Sequence, residues 1–444
     1  MKRIVSLLFL IIAYTNSFSQ VFPTIIDTTW AESSPVIDYA REVINTLCDP
    51  KMNGRGIAKG GEQAAADYIL TELRSIGIMP LGADYFQNFT VNANTFPGRM
   101  FLTIGKEKES LKAGTDFWVD PTCPTIEGTF NLVYINRKMI NDHMVLLDKL
   151  RDAKDGFILI DNEDKSGETL ELTKKIDEII KKIKIDMKVQ LQGVMIYEKS
   201  NLRWGSSSEQ NPRAVIYLVK DMDVSSLKNA KIEIDAEYIT GYETQNVAGI
   251  IEGSGEKDSV IIITAHYDHL GIMGNDVIFP GANSNASGVA MLLSLAKHFY
   301  MIRPKYSIIF LAPGAEELGL EGSKTYTNYP AIHLSKTKFL LNFDVIGTGV
   351  DGAKVVNGSV LESNFKVLSD INKRNKYLPA LEPRGAACIS GHCMFHNKNV
   401  PCFSFYSIGG TINYHNLDDT PDNTPLTTFE SMYNLVIKYI ELIK

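Results

Sequence analysis

Two series of apolar residues at helical spacing lie near the beginning of the chain. The first runs from Val36 to Ile44 and the second from Ala65 to Leu73, with apolar positions three or four residues apart. This period is typical of amphipathic helices that bury one face. The glycine-rich stretch 52–61 between them follows no strand and contains no G-K-[ST]. We therefore predict a turn between two helices rather than a phosphate-binding loop.

The pattern changes between about residues 88 and 235, where short strand-like runs alternate with helical stretches. We predict strands at 101–104, 132–135, 157–160, 194–197 and 215–219. An amphipathic helix is predicted by four isoleucines that share one face among lysines: Ile176, Ile179, Ile180 and Ile183. Such a helix either lies on a membrane surface or packs its apolar stripe inside the protein, and in this acidic chain we favour packing. Residues 91–239 are predicted to form a smaller, inserted α+β domain.

From Asn246 onward, apolar strands, polar loops and helices follow one another repeatedly. We predict strands at 260–265, 307–313, 339–344 and 401–408. This repetition indicates an α/β fold with a mostly parallel, mixed sheet flanked by helices on both faces. Residues 20–90 and 240–444 are predicted to form this larger domain together.

Histidines and carboxylates follow the predicted strands of the larger domain. In chain order they are His266, Glu316, Glu317, Asp344 and, directly after Tyr414, His415. Because ligands of open α/β sheets bind outside the carboxyl ends of the strands, we expect these side chains at one edge of the sheet. Imidazole and carboxylate together suit zinc. The sequence therefore predicts a hydrolytic metal site at this edge.

Neighbouring residues add detail to this site. Asp268 is placed to hold the second ring nitrogen of His266. Of the adjacent Glu316 and Glu317, one is expected to bind metal and the other to take the proton of an attacking water, and the residues alone leave open which does which. His269 is expected to hydrogen-bond within its loop rather than to bind metal.

Composition narrows the function classes. Of the 444 residues, 44% are hydrophobic and 22% are charged, which is typical of a globular protein with two or three domains. The formal net charge of −7 provides no basic surface for phosphates. Nucleic acid is therefore not expected as a partner.

The first residues have the pattern of a secretory signal. Lys2 and Arg3 precede the apolar run 4–13, and small residues follow it. This run is shorter than the roughly 20 residues that a membrane-spanning helix needs. We expect residues 1–19 to be a cleaved signal peptide. The mature chain is then periplasmic or secreted, without stable membrane insertion.

The five cysteines are too few and too scattered for a disulfide scaffold. One local disulfide is expected among the last three, with its pairing left open: Cys388, Cys393 and Cys402. Their spacing does not provide a four-ligand zinc site.

Five motifs occur in order along the C-terminal part of the chain. They are H-Y-D-H-L-G (266–271), F-P-G-A-N-S-N-A-S-G-V-A (279–290), A-E-E-L-G-L-E-G-S (315–323), N-F-D-V-I-G (342–347) and Y-H-N-L-D-D-T-P-D (414–422). They resemble the motifs of the co-catalytic zinc aminopeptidase family, which includes bacterial leucyl aminopeptidases, glutamate carboxypeptidase, glutaminyl cyclases and the transferrin receptor. The resemblance covers residues 34–90 and 240–444, and the residues between resemble, more weakly, a protease-associated domain.

The resemblance implies an aminopeptidase with two zinc ions and assigns roles to its residues. The implied ligands fall into two pairs, His266 with Asp344 on one zinc and Glu317 with His415 on the other. Three further residues match a general base, a tyrosine that assists the tetrahedral intermediate, and a carboxylate behind the first histidine: Glu316, Tyr414 and Asp268.

One position departs from the family pattern in a way that affects the metals. Where the family has an aspartate that bridges the two zinc ions, this chain has Ser284. A hydroxyl provides neither the charge nor the second oxygen, Asn283 is neutral, and Asp276 is only near in sequence. Since two divalent ions about 3.5–4 Å apart repel strongly without a bridge, we predict that one metal binds weakly or not at all. A lesser departure is Gly391, where many members have aspartate.

Three functions are compatible with these residues. The leading one is an exported zinc metallopeptidase that hydrolyses amino-terminal residues of peptides, because the general base is retained. A glutaminyl cyclase would fit a single zinc, although cyclases generally keep the missing aspartate and lack the inserted domain. A non-catalytic binding protein, as the transferrin receptor is within the family, would fit the loss of the bridge.

Overall fold

The computed structural model describes residues 30–105, 109–186, 188–199, 203–410 and 413–443. The predicted signal peptide lies outside these ranges. Within them, no helix combines the length and the apolar character needed to cross a bilayer.

The first described elements are the two predicted helices, α1 (Pro35–Leu47) and α2 (Gly61–Ile76). Ser34 caps α1, because its hydroxyl accepts a hydrogen bond from the Ile37 N–H at 3.3 Å. The glycine-rich stretch between the helices forms short 3₁₀ turns, so the prediction of a turn is confirmed. Two strands follow, β1 (Met79–Pro80) and β2 (Phe86–Thr95).

The next part of the chain builds a separate sheet. Its strands are β3 (Met100–Ile104), β4 (Glu109–Leu111), β5 (Phe117–Val119), β6 (Ile126–Asn136), β7 (Phe157–Asp161), β8 (Gly193–Tyr197), β9 (Ala214–Leu218) and β10 (Asn229–Ile234). Its helices are α3 (Arg137–Asn141), α4 (His143–Asp152) and α5 (Leu170–Ile185). Among the described residues the strand order is β4-β3-β10-β6-β7-β8-β9-β5. Ile176, Ile180 and Ile183 of α5 are buried against this sheet, which confirms the packed interpretation of that helix.

The C-terminal part completes the larger sheet. The strands of this part are β11 (Glu237–Ile251), β12 (Val260–Thr264), β13 (Ile272–Met273), β14 (Val277–Ile278), β15 (Ser307–Ala312), β16 (Thr337–Phe343), β17 (Gly352–Val356), β18 (Leu381–Pro383) and β19 (Cys402–Ile408). Of these, β13 and β14 pair with each other in a separate two-stranded sheet, and the others belong to the larger sheet. Its helices are α6 (Ser287–Met301), α7 (Glu321–Asn328), α8 (Glu362–Asn375), α9 (His392–His396) and α10 (Phe429–Leu442).

The larger sheet has the order β1-β11-β15-β12-β16-β19-β17-β18, with β2 paired to β11. The four central strands β15, β12, β16 and β19 are mutually parallel, whereas β11 and β17 run antiparallel to them. In β12, Ile261 and Ile263 belong to the core beneath α1, α6 and α10, and Ile262 belongs to the core beneath α7 and α9. This alternation buries both faces of the strand and confirms the predicted mixed sheet with helices on both sides.

One disulfide joins Cys388 to Cys393 at the start of α9. Cys402 is a free, buried residue of β19. The expectation of one disulfide among the last three cysteines is therefore confirmed, and its pairing is now assigned.

Candidate metal centre

The predicted site residues lie beyond the carboxyl ends of the parallel strands. His266 follows β12, Glu316 and Glu317 follow β15, and Asp344 follows β16 directly. The structure brings His266 Nε2 to 3.6 Å from Asp344 Oδ1. It brings His415 Nε2 to 3.0 Å from Glu317 Oε1. Five side chains that are up to 149 positions apart in the sequence thus meet at one sheet edge.

His266 is held between two carboxylates. Its Nδ1 lies 3.2 Å from the backbone carbonyl oxygen of Asp268 and 3.4 Å from Asp268 Oδ1. Burial lowers the pKa of His266, but its contacts with Asp268 and Asp344 outweigh burial and hold that pKa well above its usual range. Asp268 Oδ2 also accepts a hydrogen bond from the Glu317 N–H at 2.9 Å. Asp268 therefore joins the loop after β12 to the loop after β15.

A second cluster consists of His269, Glu317 and His415, each of which offers one ligand atom within 4.8 Å of the others. His415 Nδ1 lies 3.1 Å from the backbone oxygen of Trp204. Because a carbonyl only accepts, Nδ1 donates to Trp204, and Nε2 is the ring nitrogen that faces Glu317. Burial raises the pKa of Glu317, yet the two histidines more than offset burial and hold it well below its usual range.

The position of the His269 ring differs from the expectation that this residue hydrogen-bonds within its loop. Among the described residues, neither ring nitrogen of His269 has a hydrogen-bond partner, and its side chain is fully buried. Its Nδ1 lies 3.6 Å from Glu317 Oε1. Burial lowers the pKa of His269 to about 3, so the ring is neutral and keeps a lone pair. The expectation of a hydrogen-bonding loop residue is therefore wrong, because the loop turns this ring into the site.

Glu316 is buried beside this cluster. Its Oε1 accepts a hydrogen bond from the Ser323 N–H at 2.8 Å, and burial raises its pKa to about 7. A Cβ atom on Gly391 would lie 2.4 Å from Glu316 Oε2 and 2.2 Å from Ser323 Oγ. No side chain fits at that position without a shift, which explains why this chain has glycine at this departure from the family pattern.

Ser284 is buried beside the site, but it contributes no carboxylate there. Its N–H and that of Asn283 donate to the Asp419 carboxylate at 3.0 and 2.6 Å. Asn283 Oδ1 accepts from the Gly347 N–H at 2.8 Å. Ser284 Oγ has no hydrogen-bond partner among the described residues. Asp276 lies in the turn between β13 and β14 and lines a separate cleft beside β3 and β4.

The donor set at this edge fits zinc. Besides the two nitrogens of His269, the buried oxygens Asp268 Oδ1 and Asp344 Oδ1 have no hydrogen-bond partner among the described residues. Buried polar atoms normally have one, and unpaired ones are costly. Neutral imidazole and carboxylate that converge without partners are the groups that zinc takes as ligands.

The inserted part of the chain helps to position His415. The Trp204 N–H donates to the His415 carbonyl at 3.0 Å, and the Trp204 carbonyl faces the His415 ring. The Trp204 indole donates to the Val119 carbonyl at 2.8 Å and stacks on Phe279 with 4.6 Å between ring centroids. No sequence pattern indicates this role, because Trp204 and His415 are 211 positions apart.

A cavity of about 530 Å³ opens beside Asp344 and Tyr414. The Tyr414 ring stacks on His415 with 3.8 Å between centroids, and the Arg203 guanidinium lies 5.3 Å from the Tyr414 centroid. Burial raises the pKa of Tyr414, so its hydroxyl keeps its proton at neutral pH. Arg384 also lines the cavity, where it donates to the Tyr406 hydroxyl at 3.0 Å.

Glu62 of α2 is a buried carboxyl near the site with a strongly shifted pKa. Its Oε1 accepts from Thr244 Oγ1 at 2.6 Å and from the Ala315 N–H at 3.1 Å, whereas Oε2 has no partner among the described residues. Burial and the nearby Asp268 charge raise its pKa from 4.5 to about 8. The folded chain therefore holds a proton on Glu62 at neutral pH.

We expect this proton to make stability depend on pH. The contribution of this proton to the free energy of unfolding is complete below about pH 4.5 and is lost as pH rises to about 8. Between these pH values only the folded chain retains the proton. Over this pH interval, the free energy of unfolding of the wild type should fall by a few kcal/mol more than that of Glu62→Gln. Urea unfolding of both proteins at several pH values measures this, with Glu42→Gln, an exposed position on α1, as control. Parallel pH profiles of wild type and Glu62→Gln would contradict the expectation.

Comparison with known proteins supports the family resemblance that the sequence motifs indicate. Residues 246–440 match the model of peptidase family M28. A protein of Pyricularia oryzae named "Probable zinc metalloprotease" is 38% identical over 117 residues, which cover 24% of this chain and 22% of that protein. Aminopeptidase YwaD of Bacillus subtilis is 32% identical over 142 residues, which cover 31% of this chain and 30% of that protein. The chain thus spans less than a third of the length of these relatives.

Solved structures share the fold. The crystal structure of a peptidase M28 precursor from Shewanella amazonensis superposes with a TM-score of 0.68 at 15% identity, covering 91% of this chain and 93% of that one. The described fold is therefore that of M28 peptidases. The match of residues 246–440 to the model of peptidase family M28 agrees with the resemblance inferred from the motifs.

Proposed function

We propose that this chain is a zinc-dependent metallopeptidase that removes amino-terminal residues from peptides. One observation carries the proposal: histidines and carboxylates with unpaired buried atoms converge at one sheet edge beside a cavity large enough for a side chain. The names of the two relatives, a zinc metalloprotease and an aminopeptidase, support it.

The residues would divide the work as follows. Glu317 and His415 would hold zinc, which when bound polarises a peptide carbonyl and acidifies water, and His266 and Asp344 are the pair that the resemblance assigns to a second ion. Glu316 would take a proton from the attacking water and pass it to the leaving amine, since a buried carboxyl with a pKa of about 7 exchanges protons near neutral pH. The protonated Tyr414 hydroxyl would donate a hydrogen bond to the oxygen on which negative charge develops.

Peptide hydrolysis tests the proposal directly. The full chain, supplied with zinc or cobalt, is incubated with peptides that differ only in a free or acetylated amino terminus, and products are identified by mass spectrometry. We expect release of the first residue from the free peptides alone. No release from any peptide would contradict the proposal. Conversion of a glutamine-initiated peptide to its pyroglutamyl form without hydrolysis would indicate a cyclase instead.

The charge of the cavity predicts which first residues are preferred. Arg203 and Arg384 line it, and both are exposed to an incoming ligand. Because hydrogen bonds to charged groups contribute about 1.5–3 kcal/mol, we expect kcat/KM for glutamate-initiated peptides to exceed that for lysine-initiated peptides by about tenfold or more. Arg384→Gln should reduce this ratio, whereas Arg374→Gln, an exposed change on α8, should not. Equal rates for both peptides would contradict the expectation.

We further propose that the chain is exported. The basic and apolar pattern of residues 2–13 supports this proposal. Intact-mass analysis of the protein in the cell envelope or medium of an expressing bacterium tests it. A mature chain that lacks residues 1–19 is expected, and a cytosolic chain with its first residues intact would contradict export.

A further inference from the structure

We propose that this sheet edge holds a single zinc, bound by His269, Glu317 and His415, and that His266 and Asp344 do not hold a second one. The inference rests on the proposed zinc dependence, and it names the ion's position and a ligand, His269, that the motif resemblance does not assign. It does not depend on peptide hydrolysis.

The spacing of the three side chains suits one tetrahedral ion. Ligand atoms about 2.0–2.1 Å from zinc in a tetrahedron lie about 3.3–3.4 Å from one another. Glu317 Oε1 lies 3.0 Å from His415 Nε2 and 3.6 Å from His269 Nδ1. These two separations fall on either side of the ideal value, and the ligand atoms of all three residues lie within 4.8 Å of one another, so side-chain shifts would bring them onto one ion.

The surroundings of the three side chains position each of them to bind a cation. The His269 side chain is fully buried, and among the described residues neither of its ring nitrogens has a hydrogen-bond partner. The Trp204 carbonyl holds Nδ1 of His415, so that Nε2 is the ring nitrogen on the side of Glu317. The Asp268 carboxylate accepts the Glu317 N–H and so orients the loop that carries the third ligand. Two histidines and one glutamate also leave a fourth position open, as catalytic zinc sites require.

Among the described residues, no third histidine, cysteine or carboxylate joins His266 and Asp344 in a cluster of ligand atoms. Ser284 replaces the bridging carboxylate, and the side-chain oxygen of Asn283 is already bound by the Gly347 N–H. The oxygens of Asp419 accept the Asn283 and Ser284 N–H groups. Two ligands and no bridge would leave a second divalent ion close to the first with its repulsion uncompensated. The His266 ring instead lies between two carboxylates, with Nδ1 3.4 Å from Asp268 Oδ1 and Nε2 3.6 Å from Asp344 Oδ1.

Zinc binding of variants tests the assignment without reference to activity. The full chain is equilibrated with zinc, the loosely bound fraction is removed, and the bound metal is counted by elemental mass spectrometry. Affinities come from competition with a chelator. We expect one zinc per wild-type chain. His269→Gln should lower the affinity by more than about 100-fold, since even partners behind a ligand cost about 10–100-fold.

Two other variants serve as comparisons. His392→Gln is the matched control, because His392 is also a buried histidine with one ring nitrogen unpaired among the described residues. The zinc affinity of this variant should stay within a few-fold of that of the wild type. Ser284→Asp restores the family's carboxylate and should raise the count to two zinc ions. An unchanged affinity in His269→Gln, or two zinc ions in the wild type, would overturn the inference.

Anomalous diffraction at the zinc edge from crystals of the wild-type chain locates the ion even if a variant fails to fold. One peak between His269, Glu317 and His415 is expected. A peak between His266 and Asp344 would overturn the inference. A chain that binds one zinc at the expected position but releases no amino acid from any peptide would retain this inference and contradict only the proposed function.

Discussion

Replacing Glu316 by glutamine is expected to lower kcat for peptide hydrolysis by about 10²–10⁴-fold, the usual contribution of a positioned general base. Glutamine keeps the size of the side chain and an oxygen for the Ser323 N–H, which Glu316 Oε1 binds at 2.8 Å. It has no carboxylate to accept a proton. The loss should therefore fall on kcat and leave zinc content at the wild-type value.

The same variant separates the two adjacent glutamates. If Glu316→Gln lost zinc as well as activity, Glu316 would be a ligand and the roles of the pair would be reversed. Glu317→Gln is the matched comparison, and we expect it to lose zinc affinity first, because its carboxylate contacts both His269 and His415. Elemental analysis and steady-state kinetics on both variants decide between these assignments.

Replacing Arg55 by methionine is expected to lower the free energy of unfolding by about 3–5 kcal/mol, the range for leaving a buried polar network without its partner. The Arg55 side chain is completely buried. It donates to four backbone carbonyls, at 2.6 Å in one case and 2.8 Å in three: Pro280, Leu47, Tyr267 and Gly281. Methionine fills much of the volume but satisfies none of these acceptors.

The Arg55 variant should also weaken zinc binding. The Arg55 backbone carbonyl accepts the His269 N–H at 3.1 Å, and its side chain holds the loops on either side of that histidine's ring. Urea unfolding gives the stability change, and chelator competition gives the affinity. Arg99→Met, at an exposed arginine with three carboxylate partners, is the control and should leave the midpoint nearly unchanged. An Arg55→Met midpoint equal to that of wild type would contradict the structural role.

The sequence predicted the larger sheet because its signal is strong and local. A run such as Val260–Thr264 is apolar at every position, as a strand buried on both faces must be. Once β12, β15, β16 and β19 are parallel neighbours, the rule for strand ends brings His266, Glu317 and Asp344 to one edge without further information.

The roles of His269 and Trp204 could not be predicted in the same way. Whether His269 points into the site depends on the path of its loop, which the Arg55 carbonyl and the packing around Gly281 determine. Trp204 reaches His415 only because the inserted part of the chain folds against the larger sheet. Such contacts depend on tertiary packing across long sequence separations, and hydrophobic periodicity carries no record of them.

Ser284 illustrates a different limit on what the sequence can predict about the metal site. Its substitution for a carboxylate is visible in the sequence, and the weakening of one metal follows from charge alone. Which of the two positions loses its ion does not follow, because it depends on whether another ligand is available. In the structure His269 is available at Glu317 and His415, whereas the described part of the chain offers no comparable third ligand to His266 and Asp344.

A zinc titration of the chelator-treated full chain tests the proposed site most directly. At each zinc concentration, the rate is measured at which the first residue of a peptide with a free amino terminus is released. Activity is expected to rise linearly with added zinc and to reach its plateau at one equivalent per chain. A plateau reached only at two equivalents would contradict the single-ion site. No release at any ratio would contradict zinc-dependent hydrolysis itself.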